Sequence, residues 1–174
     1  LKIVQELLYG ITPDFAVTLA VPFEEIKGES AQGGHVSRGL GDVEIRTKYR
    51  FYRKDYSGGT NQLAGILGVS LPVAQSTDDS SLSYLGALTG TISAGHWYLW
   101  GDLRYELKTE SKGTKEGSVF FYDVALGWRP YIAEYNQVDF APVIEINGEL
   151  ESKAIQNEQL KASGHTVFFA LGFL

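Results

Sequence analysis

The stretch Asp42-Val43-Glu44-Ile45-Arg46-Thr47-Lys48-Tyr49-Arg50-Phe51-Tyr52 decides the fold. Val43, Ile45, Thr47, Tyr49 and Phe51 alternate one for one with Asp42, Glu44, Arg46, Lys48 and Arg50. Successive side chains of a strand point to opposite faces, so this segment has one apolar face and one charged face. Wound as a helix, the same charges would scatter around the axis. The two-residue period predicts a strand.

The same rule extends in both directions. Phe15–Phe23, Leu63–Val73, Trp97–Leu107, Phe120–Trp128 and Val138–Ile146 alternate in this way, and Lys2–Gly10, Leu82–Ser93 and His165–Leu174 do so more weakly. About nine strands result, and no convincing helix. Short connections (11–14, 53–60, 94–96, 130–136) take turns along the chain with long polar ones (24–38, 74–81, 108–118, 149–164). Short turns therefore gather at one end of the strands and long loops at the other, as in an up-and-down antiparallel meander.

Composition narrows the function. The chain has 174 residues, enough for one domain, taken here as residues 1–174. Its net charge of -6 argues against nucleic acid as a partner, because phosphates need a surplus of Lys and Arg. With no Cys there is no disulfide framework, thiolate nucleophile or Cys-ligated metal. No run reaches the 18 to 20 apolar residues of a spanning helix, roughly the bilayer's requirement.

Alternation alone does not say which face is buried. Three features point to a transmembrane up-and-down antiparallel β-barrel in a bacterial outer membrane, its apolar face on lipid. The strands are long, about nine to eleven residues. Charges of both signs sit at mid-strand, and loop length is asymmetric. On this reading Asp42, Glu44, Arg46, Lys48, Arg50, Asp102, Arg104, Glu106, Asp123, Arg129, Asp139 and Glu145 line a pore, and Tyr9, Phe15, Tyr49, Phe51, Trp97, Trp128 and Tyr131 form an aromatic belt at the membrane interface. Nine alternating strands leave the first and last parallel. Closure then calls for at least one further strand, most simply before Leu1, and about 10 to 12 in the full protein.

The run Glu6-Leu7-Leu8-Tyr9-Gly10-Ile11-Thr12-Pro13-Asp14, the block from Gly39-Leu40-Gly41-Asp42 to Lys48-Tyr49-Arg50-Phe51, and Leu71-Pro72 resemble the outer-membrane barrels of the MetA-pathway of phenol degradation, or "transporter", family. That resemblance implies a barrel with a signal peptide, linked with uptake of aromatic or other hydrophobic compounds.

No catalytic constellation emerges. His35, His96 and His165 stand apart, without metal-ligand spacing. Nothing in the spacing selects a site joining Ser83 or Ser93 to His96 and Asp102. Gly33-Gly34, Gly39-Leu40-Gly41 and Gly58-Gly59 precede no helix that could cradle phosphate. Asp78-Asp79 reads as a solvated loop pair. The expectation is therefore a channel, not an enzyme, with no cofactor and no metal, whose partners are the bilayer and a small solute. The alternative is a plugged scaffold barrel that partners other envelope proteins.

Overall fold

The computed structural model describes residues 2–28, 35–73, 82–109, 117–131, 140–152, 154–156, 159–161 and 163–173. Alternation becomes strands β1 (Lys2–Thr12), β2 (Phe15–Gly28), β3 (His35–Leu40), β4 (Val43–Tyr56), β5 (Gly59–Leu71), β6 (Ser83–Ala94), β7 (Trp97–Lys108), β8 (Val119–Trp128), β9 (Pro142–Glu151), β10 (Ala154–Gln156), β11 (Gln159–Lys161) and β12 (Gly164–Phe173). One antiparallel sheet runs β1-β2-β4-β5-β6-β7-β8-β9-β12, with β3 paired to β2. β3 and β4 lie end to end along β2, joined where the Gly41 amide donates to the Pro22 carbonyl at 2.8 Å. β10 and β11 make a separate hairpin.

Two of the short turns rest on glycine. Gly58 and Gly95 have φ of 88° and 57°, the left-handed region that a two-residue hairpin loop demands. Elsewhere the expected boundaries shift. The polar segment 24–38 contributes the end of β2 and most of β3, and β9 starts at Pro142 instead of Val138.

Register places Val43, Ile45, Thr47 and Tyr49 on one face with Leu71, Val69, Leu67 and Gly65. Glu44, Arg46, Lys48 and Arg50 share the other with Ser70, Gly68, Ile66 and Ala64. A bulge between Arg50 and Tyr52 returns Tyr52 to the apolar face, opposite Leu63. The sheet curls around its polar face, since a single cavity there touches side chains from every strand between β4 and β9. Ala20 and Ala64, 3% and 5% exposed, lie on that inner face. On the outer face Tyr49 and Phe51 stay 55% and 52% exposed, so this is no inward-packed soluble barrel. Among the described residues no large side chain is fully buried.

The closed barrel expected from the sequence is not what forms. β1 and β12 are the two ends of the sheet and do not pair with each other. Nine strand positions in antiparallel succession leave these ends parallel, whereas every pairing in the sheet is antiparallel. Channel, plugged barrel and bilayer-spanning reading all required closure. An open sheet in hydrocarbon would leave two rows of edge N–H and C=O groups without partners, at several kcal/mol for each group, by the usual scale. The outer-membrane location and lipid-bilayer partner are corrected with the barrel. Among the described residues no helix is long and apolar enough to cross a membrane.

Candidate functional site on the concave face

Of the expected pore-lining set, Glu44, Arg46, Lys48, Arg50, Asp102, Arg104, Glu106, Asp123 and Glu145 share the concave face. They line an open trough and no pore. Asp42 sits at the β3–β4 junction, its Oδ1 buried without a hydrogen-bond partner among the described residues. Arg129 follows β8 and lays its guanidinium over the Tyr98 ring, 4.5 Å from the centroid. Asp139 lies outside the described residues, as do Asp78-Asp79 and Gly33-Gly34.

The cations of β4 divide their work. Arg46 donates to Glu6 on β1 at 2.6 Å and stands 3.4 Å from Glu44. That bridge spans the intervening strand β2, where the small Ala20 occupies the inner face. Arg50 binds Asp14 at 2.8 Å and donates to the Pro13 carbonyl at 2.9 Å, clamping the first hairpin. Such partly exposed pairs each contribute little, about 0 to 1 kcal/mol. Lys48, between them, forms no ion pair among the described residues.

Two cavities meet at Lys48. One, of 280 Å³, lies against the first hairpin and is lined by Arg50, Gln62 and Ala64; the other, of 350 Å³, reaches to Asp102, Asp123, Glu145 and Asn147. Both are walled by Lys48, Thr89 and Trp100. The far wall is anionic. Asp102 and Asp123 are directly opposed on β7 and β8, an arrangement that like charges disfavour. Arg104 answers with one contact to Asp102 at 3.5 Å while it stacks on Phe121. Burial pushes the Asp123 carboxyl above its ordinary range, and the charges of Asp102 and Glu145 add to this against the pull of Arg104.

This shift has a testable sign. Ionised Asp123 costs the fold stability, because its folded pKa exceeds the unfolded one. The cost is absent in acid, grows as pH rises through the carboxylate range, and is complete above the raised pKa. Asp123→Asn is therefore expected to raise the urea midpoint in mildly alkaline buffer and to leave it unchanged in acid. Equal gains at both pH values would show that charge plays no part.

The expected aromatic belt is spatially coherent, but it marks the turn end of an exposed outer face and no membrane interface. Phe15 pairs with Tyr49, and the Trp97 and Trp128 rings are 6.3 Å apart. That outer face also carries a 490 Å³ apolar dent where Gly90 opposes Gly101, walled by Leu63, Leu88, Leu99 and Leu103.

His96 and His165 are engaged structurally, and the side chain of His35 lies outside those described. His96 Nδ1 lies 2.6 Å from the Arg129 carbonyl, and His165 Nε2 lies 3.0 Å from the Tyr122 hydroxyl. Among the described residues no group of three His, Cys, Asp or Glu could hold a metal ion.

Trp100 is the site residue that alternation could have found. It shares its parity with Asp102 and Arg104, yet it reads at first as one more aromatic beside a turn. Thr89 and Asn147 carried no signal, because only register brings them alongside.

Fold and trough together define an open antiparallel β-meander with a charge-separated groove. The chain matches no known family model and no curated protein. The likeness of residues 6–14 and 39–51 to the phenol-degradation barrels therefore does not make it a member of that family. Alternation, a Thr-Pro-Asp turn and glycines at a strand entry are what antiparallel hairpins require in general.

Proposed function

We propose that this chain is a non-catalytic binding protein whose concave groove takes a small organic ammonium ion. The carrying observation is the 350 Å³ cavity in which Trp100 stands beside Asp102, Asp123 and Glu145, with Arg104 the one cation among them and Lys48 on the opposite wall. An indole face and carboxylates together attract a bulky ammonium, through cation–π and Coulomb terms. Lys48, which spends its charge on no carboxylate among the described residues, is placed to donate to an oxygen at the ligand's other end. Binding is favoured over catalysis by His96 and His165, whose bonded ring nitrogens meet a backbone carbonyl and a tyrosine hydroxyl instead of a nucleophile.

Calorimetric titration with choline and with its neutral isostere 3,3-dimethylbutan-1-ol tests this reading. Choline is expected to bind about tenfold more tightly or better, the worth of one charge-assisted contact of about 1.5 kcal/mol. Glu145→Gln combined with Asp102→Asn is expected to erase the difference. Equal affinity for the two probes in the unaltered protein, or no binding of either, would refute the proposal.

A further inference from the structure

We propose that β12 is a self-association strand, through which two copies of this chain join edge to edge, antiparallel about a twofold axis. Along its outer side β12 presents a row of backbone N–H and C=O groups that no strand among the described residues meets. Edge strands that must stay single are usually blunted by charge, proline or a bulge. Gly164–Phe173 contains no Asp, Glu, Lys, Arg or Pro, and its register with β9 runs unbroken over ten pairs. It is also tied to the sheet, because the Tyr122 ring covers Gly148 on β9 and its hydroxyl lies 3.0 Å from His165 Nε2 on β12.

The opposite edge is managed differently. β1 carries Glu6, which Arg46 holds, and its register slips between Gly10 and Thr12. The choice of a second copy as occupant follows from parity and charge. β1 and β12 are parallel, so joining the β12 of one copy to the β1 of the next, with the apolar faces kept on one side, would create a parallel pair in an otherwise antiparallel sheet. β12 against β12 about a twofold axis is antiparallel and isologous. It sets Val167, Phe169 and Leu171 beside their like on the apolar face, and Thr166, Phe168 and Ala170 beside theirs on the concave face. With no charged side chain in the strand, self-pairing brings no like charges together.

The chain lacks cysteine, so a single introduced thiol reports only on itself. Oxidative cross-linking of single-cysteine variants along β12, at each position from Thr166 to Leu171, is expected to peak at the one residue nearest the axis. Leu67→Cys on the apolar face, and Val4→Cys or Leu8→Cys on β1, should stay at background. Phe168→Lys and Ala170→Lys, checked for retained strand content by circular dichroism, should weaken the dimer more than tenfold in sedimentation equilibrium. A monomeric unaltered chain would overturn the proposal. So would a flat cross-linking profile, or cross-linking at Leu67 or β1 as strong as at β12, because that contact would not be specific to the β12 edge.

Discussion

Gly59→Ala is expected to destabilise the fold by about 2 to 3 kcal/mol, the upper part of the range for forcing a methyl into space already filled. A Cβ at Gly59 would fall on the carbonyl oxygen of Ser93 in the adjacent strand. That oxygen has little room to move, because the Tyr56 hydroxyl also donates to it at 2.7 Å and the pairing of Gly59 with Ala94 fixes the strand that carries it. Gly58→Ala is the control. Its Cβ would meet open space, so the variant bears only the left-handed backbone cost of about 1 kcal/mol. Urea unfolding of the two variants should show the larger loss at Gly59. A smaller loss there would mean that the β5–β6 junction yields, and that the close approach is not a constraint.

Trp100→Ala is expected to weaken choline binding about tenfold and to leave the small affinity for the neutral isostere nearly unchanged. A desolvated cation–π contact contributes up to about 2 kcal/mol, and Trp100 walls both cavities that flank Lys48. Trp100→Phe should recover part of the loss, since a benzene face attracts cations less than indole but more than a methyl group. Trp97→Ala belongs on the outer face, beside Trp128, and should not affect the titration. If Trp97→Ala and Trp100→Ala weakened binding alike, the ligand would not be in the groove.

Much of the sheet was legible because alternation is a direct image of its two faces. The 42–52 segment assigned Glu44, Arg46, Lys48 and Arg50 of β4 to one side, and the register places all four there. What failed to show has physical causes. Glu24 and Glu25 offer no alternation, yet the backbone ladder runs on through them to Gly28, because a hairpin needs paired amides and no buried face. Phe51 sits in a bulge, and no periodic reading places one. Closure is what alternation does not encode. The pattern of 43–51 describes a sheet with two unlike faces, and it is equally at home in a sheet that ends. The pairing order carried the correction, since β1 and β12 end the sheet without meeting. For the groove, the sequence supplied Lys48, Asp102, Asp123 and Glu145 as separate charges. Their convergence on one cavity comes from curl, which is a property of the whole sheet.

That curl makes the inner alanines a gauge. Ala64, Ala87 and Ala125 stand on the concave side of β5, β6 and β8, where a bending sheet brings its side chains together. Their bulk sets how tightly the sheet can wind, as the thickness of a lining sets the bore of a rolled tube. Larger residues at these three positions would flatten the roll and spread Lys48 from the carboxylates opposite. The length of molecule that fits between those charges is then written less in the charged residues themselves than in three methyl groups on the wall between them.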